Sequence, residues 1–249
     1  MVTGSTGLGL GTEIAKLFAE EGAEVVITGR NEENGQRITR EIERRGHRAT
    51  FVQADLSQAD ASARIVAHTL EIFGKLTVLV NCAVAANQRQ DGTALTVSAE
   101  HLASSFRVNF LGPFELCRVA LSPMIAAGGG SIVNIGSRTA IRGTPNLAAY
   151  SSSKGALHAL TRSIAMDFAK SGVRCNTVSP GFITGKERDL EMDSERLAWA
   201  QRMHLTAPPT TREVALATLY LASDEAASIT GFELQIDGGG SMARGLELG

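Results

Sequence analysis

The sequence predicts an α/β fold, a single-domain Rossmann-type doubly wound parallel sheet of about seven strands with helices on both faces. Three observations lead there. Short β-branched runs alternate with longer amphipathic ones along the chain. The 249 residues suffice for one such domain, with a full core. No internal repeat, low-complexity tract or composition shift divides residues 1–249.

Taken in order, the first strand is the anomaly. Only Met1 and Val2 precede a glycine turn, about half of the usual 5 to 6 strand residues, so the expectation is a truncated first strand in a chain whose native N-terminus lies upstream. Later strands are expected at Glu24–Thr28, Ala49–Gln53, Leu76–Asn81, Ser131–Ile135, Val173–Val178 and Phe232–Ile236. Helical patterns fill the intervals at Gly11–Glu21, Glu32–Arg45, Ser57–Phe73, Ala99–Ala127, Ala149–Ser171 and Arg212–Ala222. The polar stretch Lys186–Arg202 interrupts them late in the chain, and a lid is expected over about residues 182–206. Right-handed crossovers between parallel strands put the ligand crevice at the carboxyl ends of the strands, where the strand order reverses.

Composition narrows the partners. Lys and Arg total 24 against 26 Asp and Glu, which gives no basic excess for nucleic acid. A small-molecule partner is expected. Cys82, Cys117 and Cys175 form no C-x-x-C pair, which argues against a disulfide framework or a metal site and for a reducing compartment. No apolar run reaches the roughly 20 residues that span a bilayer, so no membrane partner is expected and the cytoplasm is the default.

The turn Val2-Thr3-Gly4-Ser5-Thr6-Gly7-Leu8-Gly9-Leu10-Gly11 leads from a strand into a helix, where glycines admit a pyrophosphate close to the backbone and helix N–H groups bind it. After the second strand, Thr28-Gly29-Arg30 puts a guanidinium where a ribose 2′-phosphate can sit, which favours NADP(H) over NAD(H). Arg30 as an ordinary solvated residue is the alternative. Asp55, before a helix-capping Ser57, either accepts a hydrogen bond from adenine or ties down its own turn.

Tyr150 and Lys154 stand four apart at the start of a helical pattern, on one helix face and within reach of the crevice. A phenol ionises near about 10. A neighbouring ammonium and the positive helix end favour the phenolate, and lowering the value by roughly three units needs about 4 kcal/mol. Ser137, at the end of the strand Ser131–Ile135, can hydrogen-bond a substrate oxygen.

With these residues assembled, the chain resembles the short-chain dehydrogenase/reductase family over essentially its whole length. The pieces are the glycine turn, Asp55, Asn81-Cys82-Ala83, Asn109, Ser137, Tyr150-Ser151-Ser152-Ser153-Lys154, Pro180-Gly181 and Ile236-Asp237-Gly238-Gly239. The resemblance implies that Tyr150 exchanges the proton with the carbonyl or alcohol oxygen. It also implies that Lys154 holds the nicotinamide ribose and tunes Tyr150, and that Ser137 places the substrate oxygen. Asn109 matches the fourth catalytic position, whose carbonyl holds a relay water; a helix-kink role is the alternative. Cofactor contacts are implied along Thr3, Gly4, Ser5, Thr6, Gly7, Leu8, Gly9 and Leu10, and at Arg30, Asp55, Leu56, Asn81, Ala83, Tyr150 and Lys154. Pro180, Gly181, Ile183 and Thr184 complete the set.

Two departures from the family pattern stand out. Four residues separate Gly4 from Gly9-Leu10-Gly11, where the family has three, and Val84 stands where the family has glycine. The substrate pocket is expected between Arg138–Leu147 and Phe182–Thr206, where Leu190, Met192, Leu197, Trp199 and Met203 either line it or pack helices. Compact length and the Asp-Gly-Gly terminus resemble bacterial 3-oxoacyl-(acyl-carrier-protein) reductases, which implies a carbonyl/alcohol substrate. Sugar, polyol and steroid dehydrogenases share these features. The family resemblance further implies a homotetramer, or a dimer, joined through the long helices and the last strand. A non-catalytic nucleotide-binding or redox-sensing protein is the rival of another class, and an inactive fragment is a third possibility.

Overall fold

A computed structural model describes residues 1–86, 90–184 and 194–243. Among these, seven parallel strands form one sheet, β1 (Val2–Thr3), β2 (Val25–Gly29), β3 (Ala49–Gln53), β4 (Val78–Asn81), β5 (Gly130–Ile135), β6 (Val173–Pro180) and β7 (Glu233–Ile236). Their order is β3-β2-β1-β4-β5-β6-β7, so the direction of winding reverses between β1 and β4. The turns leaving these two strands therefore flank the crevice.

The helices are α1 (Leu10–Glu20), α2 (Glu32–Glu43), α3 (Ala61–Phe73), α4 (Ala99–Phe106), α5 (Gly112–Ala126), α6 (Ala148–Phe168), α7 (Ser194–Arg202) and α8 (Thr211–Ala222). Successive strand residues point to opposite faces, and the core divides accordingly. Ile27, Val80, Val133 and Val178 face α1 and α8, where they meet Ile14, Leu17, Val214 and Leu221. Val26, Leu79, Ile132 and Cys175 face the other way, onto Ile65, Leu116, Met124 and Ile164.

The short β1 still holds the sheet together. Val2 pairs with Ile27 and Val80, and Thr3 with Thr28. Met1 carries the ladder one residue further, since its amino group donates to Val78 O at 2.9 Å and its carbonyl accepts from Val80 N at 2.9 Å. Burial lowers that amino group to about 5.

Two sequence expectations need correction. The pattern at Ala99–Ala127 is not one regular helix, because a π-turn over Arg107–Leu111 separates α4 from α5. An inserted residue is invisible to a pattern that tracks apolar spacing over whole turns. Ser57 does not cap α3. Its amide donates to Asp55 Oδ1 at 2.9 Å, and the helix starts four residues later, behind Asp60. The lid interval contains the helix α7, while Lys186, Leu190 and Met192 and the side chain of Leu197 lie outside the described residues. Trp199 there is half exposed.

Candidate active site

Two adjoining cavities run along the carboxyl ends of β1, β4, β5 and β6. The first, about 420 Å³, lies over β1 and β2, with Thr3, Gly4, Thr6, Gly7, Arg30 and Asp55 among its walls. The second, about 260 Å³, lies over β5 and β6 and is lined by Gly9, Leu10, Ser137, Tyr150, Lys154 and Gly181, among others. Gly4, Cys82 and Val84 belong to both, so these residues form the seam of one elongated cleft.

The glycine turn has a structural part and an open part. Gly4 has φ +66°, and a Cβ there would lie 2.7 Å from Ala83 Cα. Gly11 lies against the Gly4 carbonyl, 2.5 Å from where its Cβ would be. Both positions therefore require glycine for the protein's own packing. Gly11 thus fills the closing position of the turn, and the additional residue is taken up between Gly4 and Gly9. The Thr12 hydroxyl fastens that stretch through the carbonyls of Ser5, at 3.0 Å, and Gly7. Gly7 and Gly9 have φ outside the left-handed region, and nothing lies within 4 Å of where their Cβ atoms would be. Each borders a cavity, so the space that their missing side chains leave is space for a ligand.

The rest of the first cavity is polar. Arg30 follows β2 directly and is exposed at the rim. Burial pushes the Asp55 carboxyl up, but its bonds from Ser57 and the nearby Arg30 charge together hold it below its ordinary value. Asp55 therefore secures its own turn and lines the cavity as well. Leu56 and Ala83 complete the wall.

In the second cavity the side chains are held by distant elements. Lys154 is 3% exposed, donates to Ile135 O at 2.7 Å, and has its Nζ 5.9 Å from the centre of the Tyr150 ring. Burial lowers its ammonium to about 8, with Cys82 acting in the opposite sense. The Ser137 hydroxyl accepts from the amide and hydroxyl of Thr139 at 3.2 and 3.1 Å, bonds that orient it at the cavity wall. Pro180 and Ile183 close the far side.

Asn109 lies in the π-turn, 1% exposed, behind the cavity rather than in its wall. Its Oδ1 accepts from Ala85 N at 2.8 Å, and its Nδ2 donates to Ser153 Oγ at 3.0 Å, which donates to Tyr150 O at 2.8 Å. The turn after β4 is thereby connected to the first turn of α6. That turn is also tied to β1, because Thr3 Oγ1 accepts from Cys82 N and Ala83 N at 2.9 and 3.1 Å.

Four of the expected cofactor contacts line neither cavity. Ser5 turns into the sheet, donating to Val2 O at 2.8 Å and accepting from Thr28 N at 3.1 Å. Asn81 joins a buried chain under the site, with Nδ2 donating to Asn134 Oδ1 at 2.8 Å and Asn134 donating to Thr161 at 2.9 Å. Leu8 projects outward, and Thr184 bridges to Thr210. Sequence inspection missed Asp91, whose carboxylate accepts from Ala149 N and Tyr150 N at 3.0 and 2.8 Å. An acidic residue in a loop 59 residues before Tyr150 carries no local signal of that contact.

Residues 5–241 match the family model described as enoyl-(acyl carrier protein) reductase. A 3-oxoacyl-(acyl-carrier-protein) reductase of Chlamydia muridarum is 33% identical over 237 residues, covering 95% of this chain and 94% of the relative. An NADP-dependent (R)-specific alcohol dehydrogenase of Lentilactobacillus kefiri is 36% identical over 244 residues, covering 96% and 94%. Among solved structures, a gluconate 5-dehydrogenase from Burkholderia cenocepacia in complex with NADP and tartrate superposes with a TM-score of 0.89 at 28% identity, covering 97% of this chain and 94% of that one.

Proposed function

The chain belongs to the short-chain dehydrogenase/reductase family and is an oxidoreductase of the short-chain alcohol dehydrogenase/ketoreductase type, and on that premise we propose that it uses NADP(H) to interconvert a ketone and a secondary alcohol, with Tyr150 as the acid/base. The observation that carries this is the placement of Tyr150, Lys154 and Ser137 on one cavity that shares Gly4, Cys82 and Val84 with the cavity over the glycine turn. The space left by Gly7 and Gly9 suits a dinucleotide. Its adenosine end would rest between Arg30, Asp55 and Leu56, and its nicotinamide end beside Tyr150, Lys154, Gly181 and Ile183. When bound, the cofactor supplies or accepts the hydride.

The protein's own groups do the rest. Ser137 donates to the substrate oxygen, and Tyr150 gives that oxygen its proton during reduction or removes it during oxidation. The Lys154 ammonium, held by Ile135 O, favours the phenolate between turnovers. Asn109 holds Ser153 and thereby the backbone carbonyl of Tyr150. Arg30 suits a 2′-phosphate, the basis for placing NADP(H) ahead of NAD(H). The substrate class is a 3-oxoacyl-like or other ketone. Residues 1–249 are read as one nucleotide-binding domain, with the segment around 182–206 covering the substrate. Leu102, Leu111 and Phe114 expose apolar surface on α4, the π-turn and α5, as does Met166 on α6, which suits a homotetramer or dimer in the cytoplasm.

Titration of the purified protein with NADPH and NADH, followed by nicotinamide fluorescence, tests the cofactor assignment. NADPH is expected to bind more tightly, and Arg30→Ala to weaken it about tenfold towards the NADH value. A carbonyl screen then tests the chemistry, with Tyr150→Phe expected to lower turnover about a thousandfold while leaving NADPH affinity nearly unchanged. Failure to bind either cofactor would sink the proposal.

A further inference from the structure

The helix α6 presents Tyr150 from its first turn and has no cap of its own. Leu147 stands at its N-cap and its own side chain accepts nothing from the helix, leucine being among the poorest residues for that position. The first-turn amides are nevertheless satisfied from one place far away in sequence. Ala148 N donates to Gly92 O at 3.1 Å, Ala149 N to Asp91 Oδ1 at 3.0 Å and Tyr150 N to Asp91 Oδ2 at 2.8 Å. The Gly92 amide also donates to Oδ1, at 2.8 Å, so the carboxylate is oriented by its own loop as well.

We propose that Asp91 is a positioning residue for the acid/base: it fixes the backbone of Tyr150 and sets the acidity of the phenol by countering the positive end of α6. This rests on the function proposed above. Unpaired amides at a helix start amount to roughly half a positive charge, which favours a phenolate carried by a residue of that same turn. A carboxylate that accepts from two of them removes much of that field and adds a negative charge of its own. Among the described residues, the other charged and titratable groups near Tyr150 are these. Lys154 lies beside the ring, and Cys82 borders the same cavity. On α4, His101 stands opposite Ser105 Oγ at 3.5 Å. On the turn after Ser137, the Arg138 and Arg142 guanidinium groups lie against Gly240.

The test reads the phenol directly, so that it does not depend on knowing the substrate. The sequence has two tyrosines, and Tyr220 is 41% exposed on α8. In a Tyr220→Phe background the phenolate absorbance in the near ultraviolet therefore titrates Tyr150 alone. Asp91→Asn removes the charge and keeps one acceptor. Its phenol inflection is expected to move down by about half to one pH unit, with turnover reduced about tenfold and NADPH affinity nearly unchanged. Asp91→Ser, whose hydroxyl is a good cap, carries the same expectation and decides if Asp91→Asn does not fold. An unmoved inflection in the folded variant, whatever the turnover, makes Asp91 an ordinary helix cap and overturns the proposal. So does failure of both variants to fold, because the carboxylate would then support the fold rather than the tyrosine. A parent protein without carbonyl reductase activity whose inflection still moves as expected would sink the proposed function and leave Asp91 assigned.

Discussion

The two ends of the cleft are built on opposite principles. Over β1 and β2 the glycine backbone of Gly4, Gly7 and Gly29 borders the cavity beside short polar side chains, with Arg30 exposed at the rim and Asp55 held by its own turn. Over β5 and β6 the working groups are side chains, each secured from elsewhere: Lys154 by Ile135 O, Ser137 by Thr139, and the Tyr150 backbone by Asp91 and Ser153. Where glycine backbone borders a cavity, an added side chain takes up the space a ligand would use. A site made of side chains responds to the loss of single atoms. Damage to the first end should thus appear as weaker binding, and damage to the second as slower turnover.

The strongest test of that contrast is Lys154→Met, expected to lower turnover about a thousandfold with a much smaller loss of NADPH affinity. It also has a signature in pH. Burial places the Lys154 ammonium at about 8, so its charge is lost as pH rises through that value, and activity of the parent should fall there. The variant should lack that inflection. Linkage to folding through this group runs the other way. Between about 8 and the ordinary lysine value near 10.4, the unfolded chain holds a proton that the folded one has released, so this group makes the fold more stable as pH rises. A parent profile flat across pH 8 would break the contrast.

Gly4→Ala tests the other end. A methyl group at φ +66°, close against Ala83 Cα, should cost about 1 to 3 kcal/mol of stability, seen as a lower Tm, and weaken NADPH about tenfold, with kcat at saturating cofactor largely kept. Ser153→Ala sharpens the comparison at an intermediate scale. It strips the partner from Asn109 Nδ2, which should cost about 1 to 2 kcal/mol in thermal or denaturant unfolding and lower kcat several-fold. The smallest effect is expected at the seam. Val84→Gly removes a side chain shared by both cavities and should tighten NADPH binding a few-fold in the same fluorescence titration. Weaker binding would instead show that the valine contributes contact.

The sheet was legible in the sequence because strand and helix periods differ and most strands carry a short apolar or β-branched run, as in Val25–Ile27 and Val78–Val80. Every strand was anticipated, Ala49–Gln53 at both ends and the others with no end displaced by more than two residues. The side chains grouped around Tyr150 were legible through the spacing of Tyr150 and Lys154 on one helix. The supports were not. Asp91, Ser153 and the Asn81–Asn134–Thr161 chain act across elements that meet only after folding, and no local pattern marks a residue whose partner lies 40 or 50 positions away. The π-turn escaped for a related reason, since one added residue leaves the apolar count of a long helix almost unchanged.

That turn has a consequence beyond the placement of Asn109. One extra residue rotates everything after it by about 100°, so α4 and α5 are out of phase across the turn. The half before Arg107 packs on α6, and the half after Leu111 packs on α3 and the sheet. The segment therefore behaves as two independently addressed surfaces. Substitutions in α5 can follow the demands of the core without turning the α4 face away from the catalytic helix, and deleting a single residue from Arg107–Leu111 would couple the two again.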